Sequence, residues 1–142
     1  MTKNLAEIMY EIRDAKSQEE QVKILKHYNS VPLFFLLKIS FSANYPALEK
    51  EPQYVIDDSP IGFSYTTLNK SYRSVPSFLT KAATPALQKK QERNFLNLLE
   101  SLHWTESALL VNFLMKKVEQ VYNLSFETLK THFPGEFNNV RQ

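Results

Sequence analysis

The cations of this chain are unevenly spread. Between residues 66 and 93 stand Lys70, Arg73, Lys81, Lys89, Lys90 and Arg93, opposed by Glu92 alone. Hydroxyl side chains run among them (Thr66, Thr67, Ser71, Ser74, Ser77 and Thr80), together with Tyr65 and Tyr72. Positive charge interleaved with hydroxyl donors suits phosphate oxygens, and such contacts hold a nucleic acid without reading its sequence. Charged outer faces are also the norm for amphipathic helices, so on their own Lys89, Lys90 and Arg93 read first as a solvated face. Lys116 and Lys117 form a second basic pair, and Lys130 follows. Residues 43–65 have the opposite balance, with Glu49, Glu51, Asp57 and Asp58 against Lys50.

Catalytic groupings are missing. His27, His103 and His132 are far apart in sequence and fit no metal-ligand spacing, so no metal site and no cofactor are expected. There is no glycine-rich phosphate loop, nucleophile elbow or zincin motif. The absence of cysteine rules out disulfides and thiolate chemistry. The expectation is a non-enzymatic protein.

The elements that must position these residues read as helices. Leu5, Ile8, Met9 and Ile12 share one face of a helix over about residues 3 to 14. Ser17 with Glu20 forms a capping-box pattern for a second helix, which buries Val22, Ile24, Leu25 and Tyr28. Ser30 and Pro32 start a third, apolar nearly all round and so central, ending near Phe41. Residues 43–65, with Pro46, Pro52, Pro60 and Gly62, form a long irregular connection.

Two short helical pieces follow, at about 66 to 73 and 76 to 82. Thr84 and Pro85 open a long helix to about Leu102, with Leu87, Phe95, Leu98, Leu99 and Leu102 on one face and Lys89, Lys90 and Arg93 on the other. Thr105 caps the next, which turns Leu109, Leu110, Phe113, Leu114, Val118 and Val121 inward. That places Lys116 beside the inner stripe and Lys117 on the flank of the apolar face. Ser125 caps a short last helix carrying Phe126, Leu129 and Phe133, which Pro134 stops and Gly135 turns left-handed.

The fold class is therefore all-α, one domain over residues 1–142 with about seven helices, an ordered core over about 4–137 and a short C-terminal tail. Two glycines and no Asn-Gly or Asp-Gly turn argue against a β sandwich or barrel. The N-terminus lacks a continuous apolar signal region, and the run from Val31 is too short for a bilayer, so a cytoplasmic protein with no membrane partner is expected.

Read end to end, the chain resembles the N-terminal helical DNA-binding domain of T-even-phage-type ATP-dependent DNA ligases, and small stand-alone phage proteins of that layout. LAEIMYEIRDAKSQEEQVKILKHYNS is similar to the ligase opening, LLKISFSANY to its third helix, and FLMKKVEQVYNLSFETLKTHFPGEF to its ending. The likeness spans about residues 4 to 137 and is poor in the middle third. It implies an all-helical clamp on duplex DNA, contacting backbone phosphates and the minor groove around a nick. By the same resemblance Lys116 and Lys117 are the basic end of the penultimate helix, and Ser125 caps a helix whose first amides face a phosphate. Pro134 and Gly135 mark where a ligase would continue into its catalytic domain.

Two departures stand out. Val121, Tyr122, Asn123 and Leu124 fill a turn that ligases build from small residues. No Lys-x-Asp-Gly motif is present, so the chain cannot form an enzyme-adenylate. The function these readings imply is binding of double-stranded DNA, intact or nicked, as an accessory in replication, repair or recombination in a host-cell cytoplasm. Lys70, Arg73, Lys89, Lys90, Arg93, Lys116, Lys117, Ser125 and Lys130 are the expected contacts. The alternative is an interaction module for a phage or host protein, favoured by the weak net charge, the bulky turn and the acidic loop.

Overall fold

Asn4 starts the first helix by a reciprocal cap: its side chain accepts from the Glu7 amide at 2.8 Å, and Glu7 reaches back to the Asn4 amide. The computed structural model describes residues 4–45, 47–48, 50–60, 63–79 and 83–140. Among these, nine α-helices and no strand are present. They are α1 (Leu5–Asp14), α2 (Gln18–Tyr28), α3 (Val31–Phe41), α4 (Leu68–Ser71), α5 (Pro85–Ser101), α6 (Trp104–Leu114), α7 (Val118–Tyr122), α8 (Phe126–His132) and α9 (Pro134–Phe137). A 3-10 segment, Tyr72–Phe78, follows α4.

Side-chain caps explain most of the starts. Ser17, Ser30, Thr84 and Ser125 each accept an amide of the first turn, as expected. Glu20, however, reaches past Ser17 to the Lys16 amide at 2.9 Å. The helix α3 sits at the centre, with Leu33, Phe34, Leu36, Leu37 and Ile39 buried and α6, α9 and the 3-10 segment packed on it. Phe113, Phe137, Met9, Leu25 and Leu99 complete one continuous core. Burying each such side chain contributes about 1.5–3 kcal/mol, which explains why elements this short hold together.

Several expectations need correction. Thr105 is not a cap. His103 is, through Nδ1, and Thr105 is buried one residue inside α6. The single helix expected from there to Val121 is two. The chain turns over at Met115–Lys117, where Lys116 is left-handed at φ 59°. The Lys116 amide bonds to Phe113 O and the Lys117 amide to Asn112 O, the paired bonds of a Schellman ending. The break rotates Lys117 off the flank of the apolar face and into solvent.

Leu87 is not buried either, because every residue from 83 to 90 is exposed and the first half of α5 projects beyond the core. The second short piece is 3-10 rather than α, with Pro76 inside it. Lastly, Gly135 does not supply a left-handed turn. Pro134 opens a further helix, in whose first turn Gly135 lies with no neighbour near its missing Cβ. The backbone at Phe133, at φ -130° and ψ 57°, is neither helical nor extended and makes that corner instead.

The connection between α3 and α4 is irregular as expected, but it is pinned. The Leu48 amide bonds to Leu114 O, the Trp104 amide to Asp57 O and the Thr66 amide to Ser101 O. Pro46, Glu49 and Gly62, and Thr80, Lys81 and Ala82 of the short pieces, lie outside the described residues.

Candidate nucleic-acid interface

Lys70 is exposed in the last turn of α4, and Arg73 is exposed one residue into the 3-10 segment. Arg73 leans on Tyr72, with Nε donating to its hydroxyl at 3.1 Å and the guanidinium 5.5 Å from the ring centre. The 3-10 segment packs on α5 through Phe78 and Phe95, whose rings lie 5.5 Å apart. Gln91 also donates to Ser77 O. These contacts bring the α4 and α5 cations onto adjoining elements.

On α5, Lys89, Lys90 and Arg93 fall at three- and four-residue spacing and are exposed on one face. Glu92 is engaged by Gln88 at 3.2 Å. Lys70, Arg73, Lys89, Lys90 and Arg93 form no ion pair with any described residue. The serine hydroxyls between them are differently placed. Ser71 donates to Thr67 O, Ser74 to Ser71 O and Ser77 to Ser74 O, so these donors turn inward and stiffen the segment. Charge, rather than hydroxyl, is what this face presents. Lys81 of the same run lies outside the described residues.

The other expected contacts are on the α6–α8 segment, which packs on α1, α2 and α3. Lys117 and Lys130 are exposed there. Lys116 is only half-exposed, and Nζ donates to Ser42 O at 2.7 Å and Ser40 O at 2.9 Å. Its ammonium caps the carbonyl end of α3, and burial lowers its pKa. Ser125 is committed to Thr128, accepting its amide at 3.1 Å. The first amide of α8, from Phe126, is taken by the Glu119 carboxylate at 3.1 Å. A protein carboxylate thus occupies the position where the ligase likeness would put a phosphate.

The sequence reading missed two buried polar residues that shape this region. Gln21, 3% exposed, joins the α1–α2 corner to the turn before α8. Glu106, 1% exposed, accepts the Leu68 amide and so anchors the start of α4. Desolvation raises the Glu106 pKa above the ordinary carboxylate range. Both look like outer-face residues in sequence, and only their burial reveals them. The three histidines share no metal site, and no metal-binding group of acids and histidines occurs among the described residues.

No curated protein and no solved structure matches this chain. One family model does, over residues 8–120, a stretch that holds every candidate contact except Ser125 and Lys130. The chain belongs to that family, DUF6433, a family of unknown function.

Proposed function

We propose that this protein is a non-catalytic binder of double-stranded DNA that grips backbone phosphates, serving phage-type replication, repair or recombination as an accessory. The observation that carries this reading is the set of cations Lys89, Lys90 and Arg93 on the projecting half of α5, beside Lys70 and Arg73, none ion-paired with any described residue. A helix standing clear of the core, with its cations unpaired among the described residues, can approach a duplex without displacing partners among them. Lys117 and Lys130 are secondary contacts. Lys116 and Ser125 support the fold instead, since their polar atoms already have partners.

The test is fluorescence anisotropy with intact and nicked duplexes of one sequence, at about 50 and about 200 mM salt, where phosphate-driven binding changes most. Binding that is tight at low salt, falls steeply with salt and is lost in the triple variant K89E/K90E/R93E supports the proposal. Preference for the nicked duplex would extend the ligase likeness from layout to site. Absence of binding to either duplex at low salt, or wild-type affinity in the triple variant, overturns it.

A further inference from the structure

The loop between α3 and α4 presents an apolar surface that the core does not use. Val55 and Ile56 are 75% and 61% exposed, and Phe63 and Tyr65 are 79% and 97% exposed. All four line one depression of about 390 Å³, together with Asp57, Ser59 and Glu100. Trp104, 46% exposed, adjoins it, because its amide is bonded to Asp57 O at 3.2 Å. Exposed apolar groups scattered singly need no explanation, whereas aromatic and aliphatic groups gathered around one depression mark a contact surface.

The surface is held in shape rather than left loose. The Glu100 carboxylate accepts the Val55 amide at 2.7 Å, fixing the loop to the last turn of α5. The Thr66–Ser101 and Trp104–Asp57 backbone bonds close the loop on either side of the α5–α6 corner. Hydrogen bonds from the Ser59 hydroxyl and amide hold the Asp57 carboxyl below the usual carboxylate range, so it is charged at neutral pH. Asp58 and Glu51 are exposed nearby on the same strand of loop, against Lys50.

We infer that this depression is a docking site for a short extended segment of another protein that carries lysine or arginine beside aliphatic or aromatic side chains. Charge complementarity selects the partner's sign: Asp57 and Glu100 in the depression, with exposed Asp58 next to Asp57 in the chain, attract cations and repel phosphates, nucleic acid included. The backbone supports the extended form. From residue 51 to 56 it runs irregularly with no backbone–backbone hydrogen bond to any described residue, and apart from the Val55 amide, which Glu100 takes, its main-chain groups can pair with a partner's main chain. This site is separate from the α5 cations and stands whether or not they bind DNA.

The experiment selects short random peptides displayed on a carrier against the intact protein, then titrates synthetic copies of the enriched peptides while following Trp104, the only tryptophan. The enriched peptides are expected to combine Lys or Arg with apolar residues. Their affinity should fall about tenfold or more in F63S/Y65S, as for exposed aromatic anchors of an interface, and also weaken in D58K. Both variants change side chains outside the core, and K89E/K90E/R93E should bind the peptides as the wild type does. The inference is overturned by enrichment of acidic or uncharged peptides, by no enrichment over an unrelated protein, or by affinity indifferent to F63S/Y65S. Self-association abolished by F63S/Y65S would instead make a second copy of this chain the occupant, which also overturns it.

Discussion

Gln21 and Asn123 lie 102 residues apart in sequence and are joined by one hydrogen bond, from Gln21 Nε2 to Asn123 O at 2.8 Å. The same amide group reaches Ile12 O at 3.3 Å. One buried side chain therefore ties the corner between α1 and α2 to the left-handed turn that ends α7. The bulky Val121–Leu124 turn is built for this internal packing, with Tyr122 and Leu124 buried.

Gln21→Leu should consequently destabilise the protein by about 1–3 kcal/mol, since the Asn123 carbonyl loses its donor and Ile12 O keeps only the Ala15 amide, while the volume stays filled. Urea unfolding would read this as a lower midpoint at an unchanged slope. A wild-type midpoint would show that solvent already serves the Asn123 carbonyl.

The two basic residues at the α6–α7 turn should behave oppositely. Lys116→Met leaves the Ser40 and Ser42 carbonyls without their ammonium and should cost about 1–3 kcal/mol of stability. Duplex affinity should be unchanged in the folded fraction. Lys117→Glu should leave stability within about 0.5 kcal/mol, as at other exposed sites. It should lower duplex affinity and flatten its salt dependence. Paired thermal melts and anisotropy titrations separate the two cases.

Glu106 predicts a pH effect of definite sign. Its folded pKa is raised by burial, so the folded state holds its proton more tightly than the unfolded state does. Its contribution is fully present below the ordinary carboxylate value and is lost as pH rises through the raised one. Across that window Glu106→Gln should flatten the fall in stability, while its side-chain oxygen can still accept the Leu68 amide. Asp57, whose pKa is lowered, acts with the opposite sign and at lower pH. Unfolding measured at a series of pH values in both proteins checks the difference in slope.

Gly135→Ala should stabilise, by about 0.4–1 kcal/mol, because a helical glycine with open space around it carries only its unfolded-state entropy. By contrast, Asn29 occupies a left-handed C-cap at φ 42°. Asn29→Gly should be near neutral there, and Asn29→Val should cost about 1–2 kcal/mol. A destabilised Gly135→Ala would mean the proline-glycine corner does need its glycine.

Much of this architecture was legible in the sequence because it depends on local chemistry. Ser17, Ser30, Thr84 and Ser125 announce helix starts by side-chain capping, and the spacing of Leu5, Ile8, Met9 and Ile12 marks a buried stripe. Those features act within one turn of backbone, so a linear pattern records them. They determined the all-α class, the central place of α3, the irregular acidic loop and the concentration of cations near α5.

Only the tertiary structure decided which polar groups are available. Lys89 and Lys116 look alike in sequence, yet one projects into solvent and the other caps α3 across 76 residues. The α6–α7 break escaped detection because the left-handed position is held by a lysine, where a glycine would have signalled it. Asp57, Glu100 and Trp104 are brought to one surface by backbone bonds between a loop and a helix corner, contacts that leave no periodic trace. Sequence fixes what each short segment prefers, whereas long-range packing and hydrogen bonding determine which charges remain for a partner.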